Sequence, residues 1–274
     1  TPTADFQVLR AREMGVEYGA SHFGDQWYVR SNIGGRKNYA LFTASLDRPT
    51  EWTPLIEHRS EVLLEGLELF KNYMVTEERT NGLVRLVVHP WNGAASYAID
   101  QPEETYTLYA GSNPTEGTEW MRFGYTSLVT PSSTFEYNMR TGERRLLKQQ
   151  EVMGGYDASR FVTKRYWATA PDGTQIPISW VGPADAVDQP VPTLLYGYGS
   201  YGITIDPSFS IARLSLLDRG MAYAIAHIRG GEYLGREWYE QGRMEHKMNS
   251  FTDFIACGEF LKNSGRADQL YAMG

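Results

Sequence analysis

An aromatic-rich strand pattern recurs at nearly even intervals through the first half of the 274-residue sequence. Its three copies begin at residues 25, 71 and 120, so the starts lie 46 and then 49 residues apart. A turn and a second β-prone segment follow each copy, at residues 38–44, 83–89 and 134–139. A period of about 45 to 50 residues with about four strands per unit is typical of β-propeller blades. The spacing therefore predicts a partial β-propeller of about three blades over residues 1–150, with an irregular β-sandwich as the alternative.

The second half of the sequence alternates strands with helices. A hairpin with an Asp172-Gly173 turn is predicted first, between strands 161–168 and 176–181. The predicted elements after it are strand 191–196, helix 208–219, strand 221–228, helix 249–263 and strand 269–273. Strands that alternate with helices favour a mostly parallel α/β sheet, so we place a second domain at residues 151–274.

The last predicted helix carries apolar residues at spacings near 3.6, which predicts an amphipathic stripe along one face. The residues of this stripe are Phe251, Phe254, Ile255 and Leu261.

Two of these predicted strands end in glycine-rich loops. The strand at 191–196 leads into Gly197-Tyr198-Gly199-Ser200-Tyr201-Gly202, and the strand at 221–228 leads into Arg229-Gly230-Gly231. Glycines let the backbone approach a ligand closely, and a tyrosine hydroxyl beside them is a hydrogen-bond donor. Ser200 does not match the Gly-x-Ser-x-Gly nucleophile pattern, because Tyr198 stands two residues before it. The rest of the sequence does not match that pattern either.

Composition excludes several classes of partner. The net charge is −7 with a pI near 5.3, which argues against nucleic acid. No apolar run reaches the roughly 18 residues of a membrane span, and the start of the sequence lacks a secretory signal pattern. A single cysteine, Cys257, fits a reducing compartment, so we expect a cytoplasmic location. The five histidines are scattered without metal-ligand spacing, and we expect neither a metal nor another cofactor.

Several long motifs of the second half resemble the prolyl oligopeptidase family of serine peptidases, and within it the oligopeptidase B group. They are residues 194–202, 209–220 and 227–235, and Tyr271-Ala272-Met273-Gly274 is similar to the family's lead-in to its nucleophile loop. The resemblance implies a β-propeller ahead of an α/β-hydrolase domain, and hydrolysis of short peptides after arginine or lysine by a Ser-Asp-His triad. It places the catalytic serine about two residues beyond Gly274, and further blades are expected before Thr1.

We therefore expect these 274 residues to be part of a longer enzyme. By themselves they should be inactive, and their partners should be short basic peptides and the remainder of the catalytic domain. Two alternatives stay open: a post-proline peptidase of the same family, and a non-catalytic fragment that only pairs with its missing half.

The resemblance also assigns candidate site residues. It implies that Tyr198 donates its hydroxyl to the oxyanion and that Asp206 helps to hold basic substrate side chains. Ser208 stands where the family usually has a second acid, so a preference for a second basic residue should be weaker. Independently of the resemblance, Arg229 is a candidate substrate-binding residue because it ends a strand and precedes two glycines, with a structural ion pair as its alternative. For Asp206 the alternative is turn initiation before Pro207.

Other polar positions are predicted to be structural. Glu77-Glu78-Arg79 and the segment 243–247 should be solvated, His227 should lie hydrogen-bonded in the core, and Cys257 should be buried.

Overall fold

The computed structural model describes residue 5 and residues 8–274. Twelve strands form three four-stranded antiparallel sheets in the first half of the chain. The first sheet contains β1 (Tyr18–Phe23), β2 (Gln26–Ser31), β3 (Ala40–Ser45) and β4 (Thr53–Ile56). The second contains β5 (Val62–Leu69), β6 (Tyr73–Thr80), β7 (Leu83–Pro90) and β8 (Tyr97–Ala98). The third contains β9 (Thr107–Ala110), β10 (Trp120–Thr126), β11 (Ser133–Asn138) and β12 (Arg144–Gln149).

The predicted repeat is confirmed. Its three aromatic-rich copies are the second strands of the three sheets, β2, β6 and β10, and the segments after them are the third strands, β3, β7 and β11. Each sheet is a meander whose neighbouring strands pair in chain order. This is the arrangement of propeller blades.

Alternating side chains bury one face of a blade against the next. In β7, Val84, Leu86 and Val88 are buried whereas Arg85 between them is exposed, as the two-residue period of a strand requires. Side chains of the second and third blades share one apolar cluster, and those of the first and second blades share another.

The second half contains a five-stranded mixed sheet with three α-helices. Its strands are β13 (Phe161–Thr169), β14 (Gln175–Pro183), β15 (Thr193–Gly197), β16 (Ala222–Ala226) and β17 (Leu270–Met273). The helices are α1 (Ile211–Leu217), α2 (Arg236–Glu240) and α3 (Met248–Asn263). The strand order is β13-β14-β16-β15-β17, and β15 pairs in parallel with both β16 and β17. These strands and helices form the start of an α/β-hydrolase fold.

Local signals explain most element boundaries. Gly173, at φ 87°, closes the predicted hairpin between β13 and β14. Helix α1 begins later than predicted because Ser210 caps it: the Ser210 side chain accepts a hydrogen bond from the Arg213 N–H. Gly220, at φ 78°, then turns the chain towards β16.

The predicted apolar stripe of α3 is wrong in part. Leu261 is buried and Phe254 half-buried, but Phe251 and Ile255 are 55% and 58% exposed. The face towards the sheet consists mostly of small side chains, among them Ala256 and Cys257. Small residues allow the helix to lie close to the sheet, which leaves the larger side chains outside. The prediction that Cys257 is buried is confirmed, and burial raises the pKa of its thiol.

Within residue 5 and residues 8–274, no helix is long and apolar enough to cross a membrane.

Candidate active site

The loop after β15 lies at the carboxyl edge of the parallel strands. The chain leaves β15 to form β16 on one side of it and later returns to form β17 on the other side. Open α/β sheets bind ligands at such a switch point, because the loops that leave the strands in opposite directions open a crevice between them. The fold therefore places Tyr198, directly after β15, at the position where a site is expected.

A cavity of about 410 Å³ occupies this edge. Its lining includes Tyr198, Ser200 and Lys247, together with Phe254 of α3 and Met273 of β17. The Tyr198 side chain is half-buried. Apolar walls with a few polar groups are typical of pockets that bind small organic ligands.

The loops after β15 and β16 are packed backbone against backbone. A Cβ atom on Gly199 would lie 2.5 Å from the Arg229 carbonyl oxygen, and one on Gly230 would lie 2.1 Å from the Gly199 carbonyl oxygen. The Gly202 N–H donates to the Gly230 carbonyl at 3.0 Å. Only glycine allows this approach, so the glycines keep the two loops in fixed register beside Tyr198.

Lys247 ties these loops to the start of α3. Its ammonium donates to the Gly199 carbonyl, to Ser200 Oγ at 2.9 Å and to Ser250 Oγ at 3.1 Å. Ser250 Oγ in turn donates to the Arg229 carbonyl at 2.6 Å. Burial lowers the pKa of the Lys247 ammonium. The expectation that segment 243–247 is solvated is therefore wrong at its last residue, although residues 243–246 are exposed.

The guanidinium of Arg229, directly after Ile228 of the cavity lining, is bound by two protein carboxylates. Its side chain is 3% exposed, and it contacts Asp253 through Nε at 2.9 Å and Nη2 at 2.6 Å. Nη1 donates to Asp172 Oδ2 at 2.7 Å. The Arg229 hydrogen bond, followed by that from the Thr174 N–H, lowers the pKa of Asp172 to about 2. In this structure Arg229 makes the structural ion pair that was the alternative to substrate contact.

Asp206 is bound in bidentate fashion by Arg79 of β6, in the second blade. Nη1 and Nη2 of Arg79 lie 2.7 and 2.9 Å from the two Asp206 oxygens. The prediction that Glu77-Glu78-Arg79 is solvated is wrong, because Glu78 and Arg79 are 5% and 6% exposed. Sequence reasoning missed Arg79 since charged residues in a strand ordinarily face water, and the partner that buries it lies 127 residues away.

His227 is a core histidine, as predicted. It is 4% exposed, its Nε2 lies 2.7 Å from Ser179 Oγ, and its ring stacks on Tyr233 at 3.6 Å. Burial, followed by the charges of Arg165 and Arg79, lowers the pKa of His227 well below its ordinary value.

Two family models of known proteins match separate parts of the chain. Residues 1–150 match the family model described as prolyl oligopeptidase, N-terminal beta-propeller domain, and residues 207–274 match the model of the prolyl oligopeptidase family. Dipeptidyl aminopeptidase BI of Pseudoxanthomonas mexicana is 47% identical over 100% of this chain and 39% of its own length. Protease 2 of Moraxella lacunata is 35% identical over 95% of this chain and 38% of its own length.

A solved structure has the same arrangement of elements. Oligopeptidase B from Leishmania major superposes with a TM-score of 0.89 at 38% identity, over 96% of this chain and 39% of that one. The chain thus spans about two fifths of the length of the relatives that it matches.

Proposed function

The chain belongs to the prolyl oligopeptidase family of serine peptidases, and from that premise we propose that the whole protein hydrolyses short peptides after arginine or lysine. The observation that carries this proposal is the position of Tyr198. This residue follows a parallel strand and lines the cavity at the switch point of the sheet. The similarity to oligopeptidase B supports the choice of basic substrates.

The proposed mechanism is acyl transfer with a Ser-Asp-His triad and no cofactor. The peptide carbonyl becomes an oxyanion when the serine attacks, and the Tyr198 hydroxyl donates a hydrogen bond to it. A pre-aimed donor of this kind lowers the barrier by about 3 kcal/mol, because its dipole is already oriented when the charge forms. The glycine contacts behind Tyr198 hold the loop in place, so little reorganisation is needed during the reaction.

The printed 274 residues contain no Gly-x-Ser-x-Gly match, so we expect them to show no turnover by themselves. In the whole protein the propeller should restrict access, so that short peptides enter and folded proteins do not. We also propose a cytoplasmic location, with which the single cysteine is compatible. Cell fractionation with an antibody against the protein tests this location.

A second candidate is release of dipeptides from free amino termini. The 47% identity to a dipeptidyl aminopeptidase favours it. Such an enzyme must bind the substrate's terminal ammonium, whereas an oligopeptidase accepts peptides whose amino terminus is blocked.

Fluorogenic peptide amides distinguish these activities in the full-length protein. The set has arginine, lysine or proline at the cleaved bond, each with a free and a blocked amino terminus. Cleavage of the blocked arginine and lysine peptides supports the proposal, and cleavage of free dipeptides alone supports the second candidate. Cleavage after proline alone would replace the proposed specificity with a post-proline one.

Tyr198→Phe tests the oxyanion role in the same assay. The variant keeps the ring and loses the donor, so kcat should fall by about 10²- to 10³-fold with KM little changed. Tyr201→Phe, on the same loop but 83% exposed, is the matched control and should retain activity. An unchanged kcat in Tyr198→Phe would contradict the role.

A further inference from the structure

Two carboxylates from different domains form an acidic recess. Glu65 comes from β5 of the second blade, and Asp206 comes from the segment between β15 and α1 of the catalytic domain. Their side chains are 27% and 23% exposed, so neither is fully withdrawn from solvent. Burial raises the pKa of the Glu65 carboxyl, and the nearby Arg79 guanidinium opposes that shift.

The Arg79 guanidinium fills this recess. Besides its two contacts with Asp206, its Nε lies 2.6 Å from Glu65 Oε1 and its Nη1 lies 3.0 Å from the Gly82 carbonyl oxygen. The Arg79 side chain is only 5% exposed although both carboxylates are reachable from solvent. Both Asp206 oxygens therefore already hold a guanidinium in the two-point geometry that an arginine-containing substrate would use.

The turn that follows Arg79 is held against the catalytic domain. Asn81 and Gly82, at φ 51° and 83°, make the two-residue turn between β6 and β7. The Asn81 carbonyl accepts a hydrogen bond from Arg165 of β13. The Arg79 guanidinium lies 5.8 Å from the centre of the Tyr233 ring. These contacts fix Arg79 from both domains.

We propose that Arg79 is a specificity-determining residue: its guanidinium occupies the recess of Asp206 and Glu65 and so denies it to a basic side chain of the substrate. This inference rests on the proposed function and on the role that the resemblance to the family implies for Asp206, which is to hold the basic side chain of a second substrate residue, the one before the cleaved residue. Since Arg79 already binds both Asp206 oxygens, we expect the enzyme not to favour a basic residue there. Ser208, where the family usually has a second acid, adds no charge to restore that preference.

Citrulline provides the test, because it is a neutral isostere of arginine. Two blocked peptides differ only in whether arginine or citrulline precedes the arginine at the cleaved bond, and a second pair has proline at the cleaved bond. The full-length protein is assayed at pH 8, so that the carboxylates are ionised. The measured quantity is the ratio of kcat/KM for arginine to that for citrulline in whichever pair is cleaved.

We expect a ratio near one in the unmodified protein and a ratio about tenfold higher in Arg79→Gln, because the freed carboxylates then bind the substrate cation. The double variant Arg79→Gln/Asp206→Asn should return the ratio to near one. Arg79→Lys keeps a positive charge but loses the two-point contact, so its ratio should lie between those of the unmodified protein and Arg79→Gln.

Lys37→Gln is the matched control. Lys37 is also a propeller cation that pairs with the catalytic domain, at 2.6 Å from both Glu237 and Glu240, but its half-exposed side chain does not contact the recess. Its loss should leave the ratio unchanged. A high ratio in the unmodified protein, or equal ratios in the unmodified protein and both single Arg79 variants, would overturn the proposal.

Binding of agmatine, a small guanidinium cation, tests without turnover whether Arg79 keeps another guanidinium away from Asp206 and Glu65. By calorimetry, Arg79→Gln should bind agmatine about tenfold more tightly than the unmodified protein, and the double variant should lose this gain. Equal affinities would refute the proposal. If no peptide is cleaved, the proposed function fails, but this measurement still tests the role of Arg79.

Discussion

At the scale of single residues, the candidate site contains two cations with different surroundings. Arg229 contacts two carboxylates, so its charge is neutralised within the protein. The hydrogen-bond partners of Lys247 are a carbonyl and two hydroxyls, which leave its positive charge uncompensated beside the cavity. Lys247 thus fixes the loop of Tyr198 and makes the potential near it more positive. Both effects favour an oxyanion at that position.

Lys247→Met in the full-length protein should lower kcat by about tenfold to 100-fold, because a loosened loop misplaces the Tyr198 hydroxyl. KM should change little, since Lys247 acts through the loop. Steady-state kinetics on a blocked arginine peptide measure both constants. Lys262→Met, at the exposed end of α3, is the matched control. A raised KM with unchanged kcat would instead place Lys247 in substrate binding.

At the scale of elements, the turn between β6 and β7 is shaped to fit the catalytic domain. A Cβ atom on Gly82 would lie 2.1 Å from Tyr233 Cε1, whereas one on Gly173, in the turn between β13 and β14, would meet nothing within 4 Å. The two glycines have nearly the same φ, 83° and 87°. They differ in what a methyl group would contact.

Comparing alanine substitutions at Gly82 and Gly173 separates the cost of the contact with Tyr233 from the cost of backbone strain. Gly82→Ala and Gly173→Ala should each lose about 1–2 kcal/mol of unfolding free energy through backbone strain. Gly82→Ala should lose a further 1–3 kcal/mol or so, because its methyl group displaces the Tyr233 ring. Urea unfolding of the full-length variants measures the difference. Equal losses would mean that the turn accommodates the methyl group without cost.

The elements themselves could be predicted because their signals are local. The apolar runs at 191–196, 221–228 and 269–273 became β15, β16 and β17, and the aromatic repeat became the second strand of each blade. Helix α2 was missed, since five residues are too few to show a helical period. Arg79 and Lys247 carry no local signal: their partners Asp206 and Gly199 lie 127 and 48 residues away. The first contact arises only once the two domains have docked, and the second only once the catalytic domain has folded.

At the scale of the whole molecule, a buried polar chain joins the two domains. Thr105, from the connection between the second and third blades, lies 2.7 Å from Ser179 Oγ, and Ser179 lies 2.7 Å from His227 Nε2. The His227 ring is stacked on Tyr233, with Arg165 and Arg79 close enough to disfavour a further positive charge. Neutral His227 is therefore part of the docked state.

This arrangement predicts how stability depends on pH. The pKa of His227 is well below 6.5 in the folded protein and near 6.5 when unfolded, so the unfolded chain binds a proton first as pH falls. Stability should therefore decline below about pH 6.5, with His227 contributing a slope of up to about 1.4 kcal/mol per pH unit. Unfolding curves from pH 7.5 to 5.5 should be flatter for His227→Gln by this amount. Parallel curves for the two proteins would contradict the prediction.

If Arg79 acts as proposed, the substrate preference depends on the propeller as well as on the catalytic domain. The guanidinium that occupies the acidic recess belongs to the propeller, while Asp206 belongs to the domain that carries out catalysis. A hybrid protein that keeps this catalytic domain but takes a propeller without an arginine at this position should gain a preference for paired basic residues. Recombination between relatives could then change the substrate range with every catalytic side chain left in place.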